Sequence, residues 1–177
     1  MASLAAEASS FSIPPPPRSW TYHVFLSFRG EDTRTGFADH LCASLERKGI
    51  TTFRDDKDLE RGQVISLELL RAIQESMFAV VVLSPNYASS AWCLDELQKI
   101  VECKHNLGLQ IVPVFYGVEP SDVRHQKGTF AEAFRKHEHR FGEGSDKVRR
   151  WRDAFTQIAS YSGWDSKYQD MGHGWHR

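Results

Sequence analysis

Cysteine is scarce in this chain of 177 residues. The three thiols, Cys42, Cys93 and Cys103, are too few and too odd in number for a disulfide framework. That scarcity fits a reducing compartment, with buried or idle thiols as the default. Long apolar runs are missing as well: none approaches the roughly eighteen residues that a membrane helix needs. Neither sign of charge dominates, since 22 Lys and Arg face 23 Asp and Glu for a net charge of −1. Such a balance predicts no general attraction to nucleic acid or to membrane surfaces. No Gly-x4-Gly-Lys-Ser/Thr phosphate loop occurs either. What remains is an ordinary globular composition, 41% hydrophobic and 25% charged. The length suits one domain with a sizeable core better than two.

Residues 1–19 stand apart. They are rich in Ala, Ser and Pro and contain the run Pro14-Pro15-Pro16-Pro17. A basic start followed by an apolar stretch is lacking, which argues against a secretory signal, and Glu7 with few basic residues argues against an organelle transit peptide. The proline run favours an extended polyproline conformation, so the segment reads as a disordered head and semi-rigid spacer.

From Trp20 onward the pattern alternates strand and helix. Tyr22 to Phe28 has the β-branched and aromatic content of a strand. A turn over Arg29 to Asp32 leads to a helix from about Thr33 to Lys48, with Phe37, Leu41 and Leu45 recurring on one face and Gly49 as a left-handed cap. Ile50 to Phe53 reads as a short second strand. A charged loop, Asp55 to Gly62, then precedes a helix with Ile65, Leu69, Leu70 and Ile73 inward. Phe78 to Leu83 is uninterruptedly apolar, as expected of a strand covered on both faces. A helix from about Ala91 to His105 follows, then a fourth strand, Ile111 to Tyr116. Its Pro113 cannot donate a ladder hydrogen bond and points to an edge or near-edge position. Two amphipathic helices close the pattern, one with Phe130, Phe134, His137 and Phe141, the other with Val148, Trp151, Phe155 and Ile158. The expected fold is α/β: a flavodoxin-like, three-layer parallel sheet of order 2-1-3-4, with room for a weak fifth strand and helices on both faces.

In such sheets ligands bind beyond the carboxyl ends of the strands, where strand order reverses. That point lies between the first and third strands, near Phe28-Arg29-Gly30 and Leu83-Ser84. The helix after the third strand opens with Trp92-Cys93-Leu94-Asp95-Glu96-Leu97. On a helical wheel Leu94, Leu97, Ile100 and Val101 form the apolar stripe. Asp95 lies nearly opposite and is expected to face water. Glu96 falls at the stripe's edge, one turn after Trp92, where it can reach a ligand without full burial. A solvated helix glutamate is the alternative.

Strand ends test two familiar α/β families. A response-regulator receiver needs acids after the first strand and an acceptor Asp ending the third, but Ser27-Phe28-Arg29 and Leu83-Ser84-Pro85 stand there. A flavodoxin needs a hydroxyl-rich loop where Arg29-Gly30-Glu31-Asp32 is found. The chain does resemble the plant TIR domains of intracellular immune receptors. The matching blocks, in the family's order, are Phe25-Leu26-Ser27-Phe28-Arg29-Gly30-Glu31-Asp32-Thr33-Arg34, Asp55 to Gly62, Tyr87 to Leu97, Pro113 to Tyr116 with Pro120 to Arg124, and Ser162-Gly163-Trp164. The resemblance spans about residues 20–166, leaving the head and a tail over 167–177 outside it.

The resemblance implies an NAD(P)+-cleaving enzyme that is also a self-associating module of plant innate immune signalling. It implies a cytoplasmic location, with the nucleus as a second compartment. NAD+ or NADP+ is then substrate, and no cofactor is expected. The family's catalytic glutamate falls on Glu96. One carboxylate suits the chemistry: cleaving the nicotinamide–ribose bond builds an oxocarbenium-like charge, as in glycoside hydrolysis, while nicotinamide leaves neutral and needs no acid. The substrate-binding candidates are Phe28 as an apolar wall and Arg29 and Arg34 as phosphate forks. Gly30 permits close backbone approach, and Arg61 belongs to a loop that covers the site in the family. Trp92 offers a stacking surface. Surface ion pairing is the alternative for the arginines and core packing for Trp92. Expected partners are further copies of the chain and other TIR-containing immune proteins. The family's Ser-His association pair falls on Asp39 and His40, and Gly163 matches the small residue of a second interface. A non-catalytic adaptor acting only through such contacts is the competing function.

Three clusters point elsewhere less well. The charged loop would need Gly where Arg61 stands to resemble a calcium-binding EF-hand. The basic residues from Arg135 to Arg152 are interspersed with Glu138, Glu143, Asp146 and Asp153 and lack the aromatic interleaving of a nucleic-acid platform. His137 and His139 do not have the i,i+4 spacing of helical metal ligands, and no metal is expected.

Overall fold

Alternation along three strands sets the layers. In β1 (Tyr22–Ser27), β3 (Ser76–Leu83) and β4 (Gln110–Phe115), the side chains of Phe25, Ala79, Val81, Leu83, Ile111 and Phe115 enter one core. Leu26, Val82 and Val114 enter a second, smaller core on the opposite face. The computed structural model describes residues 19–33, 36–55, 65–167 and 175–176. The head expected over 1–19 therefore lies outside the described residues except for Ser19. So do Arg34, Arg61 and all but Asp55 of the charged loop.

With β2 (Thr52–Arg54), β5 (Gly163–Asp165) and β6 (Trp175–His176), the sheet has the order β2-β1-β3-β4-β5-β6. The first five strands are parallel and β6 is antiparallel to β5. The expected flavodoxin-like order forms, and the weak fifth strand is present. β4 is nonetheless interior. Pro113 is tolerated because the β4–β5 ladder pairs only Val114 and Phe115, leaving Pro113 just short of it.

The helical layers are unequal. One face carries α2 (Phe37–Arg47), preceded by the short α1 (Gly30–Thr33). The expected single helix over 33–48 thus begins later. Its buried positions are Ala38 and Cys42, small residues that let the helix lie close to the sheet, while Phe37, Leu41 and Leu45 are only partly covered. Gly49, at φ 76°, takes the left-handed conformation anticipated for it. The other face carries α3 (Leu67–Gln74), α4 (Ala91–Leu107), α6 (Thr129–Phe141) and α7 (Asp146–Ile158). Ser66, Ser90 and Ser145 cap α3, α4 and α7 by accepting from the backbone N–H of Leu69, Cys93 and Val148, each cap contributing about 1 kcal/mol. A further short helix, α5 (Pro120–His125), starts on a proline whose missing N–H costs nothing in a first turn.

Gly163 is where β4 and β5 touch most closely. A Cβ there would lie 2.1 Å from the Pro113 carbonyl oxygen and 2.6 Å from Pro113 Cγ. Gly163→Ala must push the two strands apart and is expected to lower stability by about 1–3 kcal/mol, read as a reduced urea midpoint. An unchanged midpoint would show that β5 yields freely.

Candidate active site

β1 and β3 pair directly, with Ser27 opposite Val81, so their carboxyl ends and the turns that follow share one edge. The β3–α4 connection is fixed from two sides. Asp32 on α1 accepts from Ser84 Oγ (2.6 Å), Asn86 N (2.9 Å) and Asn86 Nδ2 (3.0 Å). From α6, His137 bonds the Ala88 carbonyl through Nε2 (2.7 Å), and Thr129 Oγ1 donates to Pro85 O (3.0 Å). Burial pushes the imidazole of His137 down, so its neutral form donates that hydrogen bond. These contacts hold the turn Tyr87–Ser89 and the start of α4 in register with the end of β1.

Glu96 projects from α4 into this edge and is 2% exposed. The wheel placed it at a boundary; the neighbouring strand ends and turn close over it instead. Ser27 Oγ lies 2.8 Å from Glu96 Oε2 and 2.8 Å from the Tyr87 hydroxyl, which donates to Cys93 O at 3.1 Å. Burial pushes the Glu96 carboxyl well above the usual glutamate range. The Ser27 hydroxyl opposes that shift, the Asp55 carboxylate adds to it, and the Trp92 indole opposes it weakly. Burial likewise raises the Tyr87 phenol well above its ordinary value, keeping it neutral.

The structure gathers Glu96, Trp92, Ser27, Tyr87 and Asp55. Trp92 is partly buried against the larger core, and its indole N–H donates to Asp55 Oδ2 at 2.7 Å, so packing and a polar contact coexist there. Arg29 and Gly30 follow β1 directly. Arg29 Nη2 pairs with Glu31 (3.1 Å), while its Nε is buried without a hydrogen-bond partner among the described residues. Phe28 is not beside Glu96: its ring enters the smaller core, under the Arg54 guanidinium, because strand alternation turns it to the α2 side. Asp39 on α2 forms an ion pair with Arg54, His40 is exposed, and Gly163 is buried against Pro113.

Asp95 does not face water freely. It accepts from Trp151 Nε1 (3.0 Å) on α7, and burial pushes its carboxyl upward. The wheel describes one helix and cannot register a second packed against its outer side. Ser27, Tyr87 and Asp55 lie outside the site candidates that the sequence offers. A signal for Ser27 existed, since it shares strand parity with Phe25 and so faces α4.

Fold and site together define an α/β domain with a buried acid at the switch point of a parallel sheet. A family model described as the TIR domain matches residues 21–176. The disease resistance protein RPV1 of Vitis rotundifolia is 54% identical over 165 residues, covering 92% of this chain and 12% of that protein. The TMV resistance protein N of Nicotiana glutinosa is 53% identical over 144 residues, covering 81% of this chain and 13% of that protein. Among solved structures, the TIR domains of the activated Roq1 resistosome, which directly recognizes the pathogen effector XopQ, share 55% identity with a TM-score of 0.79. That match covers 87% of this chain and 93% of the other. The chain belongs to the TIR domain family, and these relatives at over 50% identity include plant disease resistance proteins. It spans about an eighth of the length of those curated relatives.

Two outcomes test the site's electrostatics. A carboxyl whose folded pKa lies above its unfolded one binds more protons when folded, so stability declines as pH rises from the ordinary glutamate range towards the folded value. Glu96→Gln should flatten that decline, seen as a smaller drop in thermal midpoint across the same window. Asp95→Ala should instead cost about 1–3 kcal/mol by stranding the Trp151 indole N–H. Denaturant melts of the variant and of Asp95→Asn, which keeps an acceptor, separate these contributions.

Proposed function

We propose that this TIR domain is an NAD(P)+ nucleosidase, activated by self-association in plant innate immune signalling. The observation that carries the proposal is the buried Glu96 carboxyl at the crevice between β1 and β3, hydrogen-bonded by Ser27. In the reaction the bond between ribose C1′ and the nicotinamide nitrogen breaks, and its electron pair returns to the ring. Nicotinamide departs neutral; water adds to C1′ and releases one proton. The ionised Glu96 carboxylate stabilises the positive charge developing on the sugar and orients its hydroxyls. A low-dielectric surrounding strengthens that interaction.

Arg29, just past β1, offers guanidinium donors to the dinucleotide phosphates, and Gly30 beside it lets the backbone come close. Trp92 shields the reacting centre. Arg34 and Arg61 are assigned to the same substrate on their family positions. At 2% exposure Glu96 needs an opening step before a dinucleotide can reach it, which supports activation by assembly with further copies or other TIR-containing immune proteins. The resistosome to which the matching Roq1 TIR domains belong supports the same reading. Exposed His40, and Asp39 beside it on α2, are the positions we assign to one association surface; Gly163 belongs to a second, where its intrachain role also requires glycine. Among the described residues no helix is long and apolar enough to cross a membrane. The cytoplasm, with the nucleus as a second site of action, is assigned on the family resemblance alone.

The test is nicotinamide release by concentrated or tethered protein with NAD+ and with NADP+. Glu96→Ala with retained circular dichroism is expected to lose at least 100-fold, on the order of one removed electrostatic catalytic group. Equal activity in the variant overturns the assignment. No turnover by the assembled wild type would favour an adaptor.

A further inference from the structure

We propose that Ser27 is a positioning residue for the nucleosidase reaction, setting the pH at which Glu96 gives up its proton. Three close contacts run in series, from Glu96 Oε2 to Ser27 Oγ (2.8 Å), on to the Tyr87 hydroxyl (2.8 Å), and on to Cys93 O (3.1 Å). Counting protons shows what this chain does. With Glu96 protonated at Oε2, all three contacts can be served in one direction, the carboxyl donating to Ser27, Ser27 to Tyr87, and Tyr87 to the carbonyl, while Asp55 is a second acceptor for the Glu96 proton. With Glu96 ionised only two hydroxyl protons remain for the three contacts. Ser27 then donates to the carboxylate, and the single Tyr87 proton is shared between Ser27 Oγ and the Cys93 carbonyl.

The same heavy-atom geometry therefore accommodates both protonation states by rotation of two hydroxyls. Ser27 is the member that touches the carboxyl in each. A hydrogen bond to an ionised group is stronger than one to its neutral form. Ser27 thus favours the carboxylate inside a site whose burial favours the acid. The remaining titratable groups facing this chain, among the described residues, are Asp55 just past β2, the Tyr87 phenol on the turn, and the Cys93 thiol on α4, whose Sγ donates to Phe28 O. Asp55 favours the acid, and the phenol stays neutral.

The proposal uses the nucleosidase reading but is measured apart from it. Infrared spectra of the domain across pH report the protonated-carboxyl stretch of Glu96, identified by its loss in Glu96→Gln. In Ser27→Ala that band should persist to a pH higher by about one unit than in the wild type. The acid limb of nicotinamide release should move upward by the same amount. Ser27→Thr should restore both, and Ser27→Cys, with a weaker donor of similar size, should fall between and serve where alanine does not fold. A band midpoint unmoved in alanine and cysteine variants overturns the proposal, even if turnover falls. A shifted midpoint in a domain with no NAD(P)+ turnover upholds Ser27's hold on Glu96 and rejects the nucleosidase reading instead.

Discussion

Everything at the candidate site hangs on the direct parallel pairing of β1 with β3. These strands are separated in the chain by a helical layer on one face, β2 at the sheet edge, and a return through α3 on the other face. Their adjacency makes both chains run out at one edge of the sheet, where strand order reverses. Period-two alternation then turns Ser27, like Phe25, towards the face on which α4 lies. The helix that leaves β3 has little choice but to cross that edge. Glu96 meets Ser27 as a result of topology before any side-chain preference acts.

A buried carboxyl is a burden on a small domain, because taking its charge out of water costs several kcal/mol unless hydrogen bonds or a proton compensate. The surroundings of Glu96 are correspondingly stiff. Asp32 ties the β3–α4 connection from α1, and His137 ties it from α6. Tyr87, between these ties, is fully buried and carries the hydroxyl that backs Ser27. The neutral imidazole and neutral phenol do their holding without adding further charge to the interior.

Much of this was legible in the sequence, and the rest was hidden for identifiable reasons. The apolar run of β3, the cap at Gly49 and the order of the first four strands follow from local patterns and from crossover rules. The wheel also placed Trp92 and Glu96 on neighbouring positions of one helix. It could not give the depth of Glu96, because that depth comes from β1 and the Tyr87 turn, nor the indole that Trp151 brings to Asp95 from α7. Strand parity sends the ring of Phe28 to the opposite core, which periodicity along one strand does not reveal without its neighbours. Pro113 read correctly as awkward in a sheet, yet its solution was a short neighbouring ladder rather than an open edge.

The close approach of Gly163 to Pro113 has a reach beyond the two strands it joins. It draws in Trp164, whose ring lies 5.8 Å from that of Phe37 at an interplanar angle of 7°, while Phe37 also stacks 5.0 Å from Tyr116. Phe37 opens α2, so the far rim of the sheet and the first long helix share one stack of rings. The absence of a single methyl group on β5 thereby helps fix the seating of a helix that begins more than a hundred residues earlier in the chain, and that makes a backbone contact a gauge of shape for the whole smaller layer.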